Sequence, residues 1–243
     1  MKLYNPYLKK LASKNYIEYS KSIIGLFFPV QDMINVLNGW EGDFSDCSLL
    51  DIGCGIGNIV NNDVIKRFKN YTGVEPSNEF FKYANKHNKN DRTNFYNCSV
   101  ENLPFEDNSF DFMISNETWY YIKDINRAAE ECSRVLRKKS PVLIYTRNPE
   151  NMLDWPWIQG RGKLINKTEE DIEVHAVIKN VFGECDIGEH FLSRVSLDDL
   201  IKSFERVNIK IISVKYHQFG KIKLNTSISI QGEKKENDEF KTR

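Results

Sequence analysis

The chain has 243 residues, room for one sizeable α/β domain with an accessory region but short for two domains with full cores. Its 34 basic and 34 acidic residues cancel, so the bulk charge supplies no basic footprint for a nucleic acid. The most apolar stretch, residues 23–30, is far below the roughly 20 residues that a bilayer needs and is interrupted by Pro29.

The N-terminus shows no apolar run ahead of a small-residue cleavage site, so no signal peptide is expected. Five cysteines form no C-x-x-C pair and four histidines stand far apart, which argues against a disulfide framework and against a metal site. The expectation is a cytoplasmic protein with reduced thiols, no metal and no membrane partner.

In chain order, Leu8, Leu11, Ala12, Tyr16, Tyr19 and Ile23 recur at helical steps, and Val30, Met33, Ile34 and Leu37 do so again after Pro29. Short apolar runs then alternate with amphipathic segments. Residues 48–52, 71–75, 93–98, 110–115 and 141–146 read as buried strands, and 124–136 reads as a helix capped by Asp124. This alternation predicts a parallel sheet wrapped by helices. Residues 148–195 show no clean period and read as an insertion over the sheet edge. Ser196, with Asp199 three residues on, opens another helix. Residues 209–216 and 222–230 form a hairpin, so the sheet should finish with an antiparallel strand.

The chemistry concentrates in Leu49-Leu50-Asp51-Ile52-Gly53-Cys54-Gly55-Ile56-Gly57-Asn58, a strand running into three alternating glycines and then a helix. Glycines permit positive φ and let a ligand approach the backbone. The dinucleotide fingerprint requires G-x-G-x-x-G, and its last position falls here on Asn58. Glu75 closes the second strand about twenty residues on, in Gly73-Val74-Glu75-Pro76-Ser77, where a carboxylate can accept bonds from both ribose hydroxyls. A third segment, Cys98-Ser99-Val100-Glu101-Asn102-Leu103-Pro104-Phe105, follows the third strand.

Together these resemble the motifs of class I S-adenosylmethionine-dependent methyltransferases over residues 48–147. The resemblance implies a seven-stranded, mostly parallel Rossmann-like sheet with an antiparallel last strand and helices on both faces. The expected organisation is an N-terminal helical cap (1–45), a cofactor domain (46–232) with a substrate-lid insertion after strand 5 (148–195), and a charged tail (233–243). S-adenosylmethionine is the implied cofactor and S-adenosylhomocysteine the product. Its contacts fall on Asp51, Gly53, Cys54, Gly55, Gly57, Glu75, Pro76, Ser99, Val100, Glu101 and Asn116, with Tyr16 and Tyr19 as a cover. Asp51 would meet the ammonium group, directly or through water. Two departures stand out. Ser99 occupies the position of the acid that usually holds the adenine amino group, leaving Val100 to supply a backbone contact and Glu101 to substitute. Lys138-Lys139-Ser140 replaces the usual Pro-Gly-Gly turn.

An acceptor pocket is expected at the carboxyl ends of the strands. Trp119, Tyr120 and Tyr121 after the fourth strand would line it, and Arg147 and Arg161 would bind an anionic group on the acceptor. An alcohol acceptor needs a general base, for which His175, His190 and Glu117 are the candidates. No Asn/Asp-Pro-Pro-Tyr-like motif follows the fourth strand, which favours a small-molecule acceptor, methylated at oxygen or nitrogen, over a nucleic acid. A cofactor-binding module or inactive partner protein, a protein or lipid acceptor, and a nicotinamide-dependent oxidoreductase are the competing readings.

Overall fold

A computed structural model describes residues 28–148, 163–167, 171–180, 183–193, 195–218 and 225–235, with the backbone alone for 28–32, 147, 163–167, 171–180, 183–193, 218 and 225–227. Helix α1 (Phe28–Asn38) precedes β1 (Ser48–Ile52), β2 (Asn70–Val74), α2 (Asn78–His87), β3 (Thr93–Tyr96), β4 (Phe112–Asn116), α3 (Ile125–Val135) and β5 (Pro141–Arg147). Then come β6 (Lys163–Lys167), β7 (Asp171–Asn180), β8 (Gly183–Ser193), α4 (Leu197–Glu205), β9 (Ile209–Gln218) and β10 (Asn225–Lys234). Seven strands form one sheet in the order β3-β2-β1-β4-β5-β10-β9. The five strands from β1 to β5 pair in parallel. β10 runs antiparallel to both β5 and β9, so the expected mixed Rossmann-like sheet is present, ending in the expected hairpin.

The strands read as continuous apolar runs because both faces of the sheet are covered. On one face Leu50, Ile52, Met113, Ile144, Ile228 and Ile230 pack with Ala128, Ala129, Cys132 and Val135 of α3 and with Leu200 and Phe204 of α4. On the other, Leu49, Tyr71, Phe112, Ile114, Leu143 and Tyr145 pack with Met33, Ile34 and Leu37 of α1. Each such side chain contributes about 1.5–3 kcal/mol when fully buried. The helix starts follow the sequence signals. Asp124 accepts a hydrogen bond from the Arg127 amide (2.9 Å), and Ser196 accepts one from the Asp199 amide (3.0 Å).

Two expectations need correction. The segment after the glycines is not an α-helix. It forms two 3-10 turns, Asn58–Asn61 and Ile65–Arg67. The Asn62 side chain accepts a bond from the Val64 amide (3.0 Å), a local bond that competes with helix propagation. The insertion, read as aperiodic, holds a second antiparallel sheet in the order β6-β7-β8. Its period was obscured by a register shift between Ala176 and Val177. At the Lys138-Lys139-Ser140 turn, Lys139 takes the left-handed conformation (φ 64°), and its amide donates to the Lys234 carbonyl (2.7 Å). Residues 1–27, most of the expected cap with Tyr16 and Tyr19, lie outside the described residues, as does most of the charged tail.

Candidate functional site

The site forms where β1 and β4, the neighbours at the centre of the parallel sheet, release the chain. The amides of Gly53 and Cys54 both donate to the Val74 carbonyl (2.9 and 3.0 Å), which folds the glycine loop tightly against the end of β2. Gly53, Gly55 and Gly57 all have positive φ (72°, 56° and 74°). Their surroundings differ. A methyl group on Gly53 would fall 2.1 Å from the Thr118 hydroxyl, and one on Gly57 would fall 2.8 Å from the Phe95 ring. One on Gly55 would meet nothing within 4 Å. Gly53 and Gly57 are therefore glycines for close packing within the protein, and Gly55 borders open space.

Glu75 lies just past β2 and is buried. Its Oε2 accepts from the Gly55 amide (3.0 Å) and its Oε1 from the Ser77 amide (2.8 Å). Each oxygen keeps a further lone pair, so the carboxylate both shapes the cradle and can accept ligand hydroxyls. Asn97 donates to the Glu75 and Pro76 carbonyls (2.8 and 3.1 Å), fixing that loop. Asp51 is buried below the cradle, where its Oδ2 accepts from the Tyr71 hydroxyl (2.5 Å). Burial pushes both carboxyls up to about 7, against the amide bonds at Glu75 and the tyrosine bond at Asp51, which lower them. Neither acid forms an ion pair among the described residues. Burial and the Glu75 charge likewise push the Cys98 thiol up to about 12, so Cys54 and Cys98 are neutral thiols beside the acids.

The other wall is the loop after β4. Thr118 Oγ lies within hydrogen-bond distance of the Ile52, Gly53 and Asn116 carbonyls (3.2, 3.4 and 3.1 Å) and fills the space a side chain on Gly53 would need. Asn116 Oδ1 is buried and has no hydrogen-bond partner among the described residues. Glu117 takes positive φ (56°), with its amide bonded to the Tyr145 carbonyl (2.7 Å) and its Oε2 accepting from the Tyr120 hydroxyl (3.0 Å). Tyr120 and Tyr121 lie ring to ring, with centroids 4.4 Å apart. Trp119 is claimed by the core, its ring 4.8 Å from that of Phe204. In the third segment Ser99 donates to the Glu101 carboxylate, so the departure and its proposed substitute are bonded to each other.

A cradle of this kind fits the nucleoside and amino-acid parts of S-adenosylmethionine: open space at Gly55, an acceptor at Glu75, a bare oxygen at Asn116 and two buried acids that meet no cation among the described residues. The residues from 50 to 144 match the family model described as a methyltransferase domain. This stretch is a methyltransferase domain. Sterol 4-C-methyltransferase of Caenorhabditis elegans is 32% identical over 103 residues, covering 40% of this chain and 30% of that protein, so the chain matches less than a third of that relative's length. In fold, the domain and its surroundings are similar to a chain from the Haloferax volcanii complex of the Trm112 methyltransferase activator with a methyltransferase. That likeness has a TM-score of 0.66 and 15% identity, covering 94% of this chain and 99% of that one. An S-adenosylmethionine-dependent methyltransferase from Clostridium acetobutylicum is similar at TM-score 0.64 and 16% identity, covering 91% and 99%.

The methyltransferase domain thus brings together Asp51, Gly53, Cys54, Gly55, Gly57, Glu75, Pro76, Asn116 and Glu117 at the strand ends. Ser99, Val100 and Glu101 open the neighbouring loop after β3. Arg147 ends β5, and Arg161 lies outside the described residues. His175 and His190 occupy adjacent rungs of the small sheet, paired with Glu189 and Val174. β8 of that sheet runs against the Trp119–Tyr121 turn. Sequence reasoning missed Thr118, Tyr71 and Asn97. The first was legible as a small polar residue in the loop beside a glycine strand end, and the other two act across strands with no linear signature.

Proposed function

We propose that the protein transfers the methyl group of S-adenosylmethionine to an oxygen or nitrogen of a small-molecule acceptor held over the carboxyl ends of β4 and β5. The open space at Gly55 beside the Glu75 carboxylate, with the bare Asn116 oxygen in the loop after β4, is the observation that carries this reading. S-adenosylmethionine, when bound, supplies a methyl group that its sulfonium already makes electrophilic. The protein's task is then orientation, which is worth up to about 7–11 kcal/mol. Glu75 binds the ribose hydroxyls, and Asp51 with Asn116 holds the ammonium end. Ser99, Val100 and Glu101 border the adenine.

Glu117 is the base we favour for an alcohol acceptor. Its left-handed backbone is held by Tyr145 and its carboxylate by Tyr120, and strain at such a position is a mark of functional sites. His175 and His190 remain candidates from the lid side. Tyr120, Tyr121 and Arg147 bound the acceptor, and the β6–β8 sheet acts as the lid. A noncatalytic cofactor-binding role is the second reading, and the same experiment separates the two. Methyl-labelled S-adenosylmethionine is incubated with the protein and a cell extract divided into small-molecule and macromolecular fractions. Label in the small-molecule fraction is expected. Label only in macromolecules overturns the acceptor class, and bound cofactor without transfer favours the noncatalytic role.

A further inference from the structure

The loop after β3 is held by a set of side chains from α3 that no motif accounts for. Glu131 is 3% exposed, and a charged side chain is rarely so buried unless it is paired. Its Oε2 accepts from the Leu103 amide (2.9 Å) and from Arg134 Nη2 (2.8 Å). Its Oε1 accepts from Arg134 Nε (2.9 Å) and Arg127 Nη2 (3.1 Å). The two arginines in turn bind the loop backbone. Arg127 Nε donates to the Glu101 carbonyl (3.3 Å), Arg134 Nη2 to that of Leu103 (3.0 Å) and Arg134 Nη1 to that of Phe105 (2.7 Å). A further bond from Arg134 Nη1 reaches Asp107 (2.9 Å). The helical spacing of 127, 131 and 134 puts the three on one face of α3. They thereby grip every second carbonyl of the loop, at 101, 103 and 105.

This clamp is made of charge-assisted bonds to main chain, the stronger class of hydrogen bond. It adds main-chain bonds to a loop whose Val100 and Leu103 side chains are buried in the core and whose Phe105 ring meets that of Phe110, while Ser99 binds only as far as Glu101. We propose that Glu131 is a positioning residue for the cofactor's adenine, organising Arg127 and Arg134 so that residues 99–101 are presented in a fixed place. This rests on the cofactor reading above. Glu131 itself touches no ligand and acts through the loop backbone. The arrangement also explains how the domain tolerates Ser99 where an acid is usual, because the clamp sets the position of the Val100 backbone without help from that side chain.

The test uses the full chain and S-adenosylhomocysteine as the probe, with affinity by calorimetry, amide exchange by mass spectrometry and melting temperature recorded together. Glu131→Gln is expected to weaken binding about ten-fold and to speed exchange across 101–105. Ser133→Ala removes another bond of α3, from the Ser133 hydroxyl to the Val207 carbonyl (2.6 Å), away from the loop. It is expected to lower the melting temperature and leave affinity unchanged. Arg127→Gln, at a half-exposed position, should weaken binding about three-fold with faster exchange at the same amides. Wild-type affinity in Glu131→Gln and Arg127→Gln overturns the proposal, and so does a loss in Ser133→Ala equal to that in Glu131→Gln. Wild-type protein that fails to bind the probe overturns the cofactor reading itself, an outcome distinct from either.

Discussion

The loop after β1 and the loop after β4 leave adjacent strands and meet, yet they are made of different material. The first turns on three glycines and has no side-chain chemistry of its own beyond Cys54. The second achieves one left-handed residue with glutamate, at a conformational cost of about 1–2 kcal/mol relative to a right-handed one. On the function proposed above, the difference separates two jobs. A cofactor is gripped by backbone that has to come close, so side chains are removed. An acceptor is met by functional groups, so a side chain is kept even where the backbone disfavours it. Thr118 joins the two loops, occupying the space beside Gly53.

The largest effect is expected where the loops interlock. Gly53→Ala drives a methyl into Thr118 at positive φ, and overpacking plus backbone strain should destabilise the fold by about 2–5 kcal/mol. Gly55→Ala meets open space, so only the backbone cost of about 1–2 kcal/mol applies to stability. The added methyl then points toward the ligand, and S-adenosylhomocysteine affinity should fall more than ten-fold. Chemical denaturation and calorimetry on the two variants measure both quantities. Equal stability losses would erase the distinction between packing glycines and cradle glycines. Glu75→Ala removes bonds to a charged group worth roughly 1.5–3 kcal/mol, so cofactor affinity should drop about ten- to a hundred-fold in a folded protein.

A pH series sharpens the same contrast. Asp51 and Glu75 titrate near 7 in the fold and near 4 when unfolded. Between those values the folded protein binds more protons than the unfolded one. The stability these acids contribute is complete below about pH 4 and is lost as pH rises toward and through 7. The ammonium of a bound cofactor favours the ionised acids, so the thermal shift produced by S-adenosylhomocysteine should grow from pH 5.5 to 8 and then level. Asp51→Asn should flatten that rise, and a shift independent of pH in the wild type would contradict the assignment.

The smallest effects distinguish strain with a purpose from strain without one. Lys139→Gly should stabilise the protein by about 0.5–1 kcal/mol, since the left-handed turn no longer carries a Cβ. Methyl transfer should be unchanged. Glu117→Asn relieves the same kind of strain by less than about 1 kcal/mol, because asparagine tolerates this conformation. Here transfer to an alcohol acceptor should fall about a hundred-fold or more, the lower end of the usual range for general base catalysis. Melting curves and label transfer on both variants give the comparison.

The parallel strands, the caps at Asp124 and Ser196 and the Gly53–Gly57 loop were legible because each is a local pattern: an apolar run, an oxygen one turn before an amide, glycines where φ is positive. The helix expected after Gly57 failed on a local competitor, the Asn62 side chain. The β6–β8 sheet was hidden by a bulge that breaks the two-residue period. Of the site, Asp51 and Glu75 could be named by spacing, but not what they touch. The Tyr71 hydroxyl on Asp51 and the Gly55 amide on Glu75 join residues 20 apart, and such bonds exist only once β1 and β2 are paired.

The most direct test of the account is calorimetric titration of S-adenosylhomocysteine into the wild-type chain, with NAD titrated in parallel. One saturable site for S-adenosylhomocysteine and none for NAD is the predicted result. Binding of NAD alone, or of neither ligand, would contradict the assignment of the Gly55 cradle.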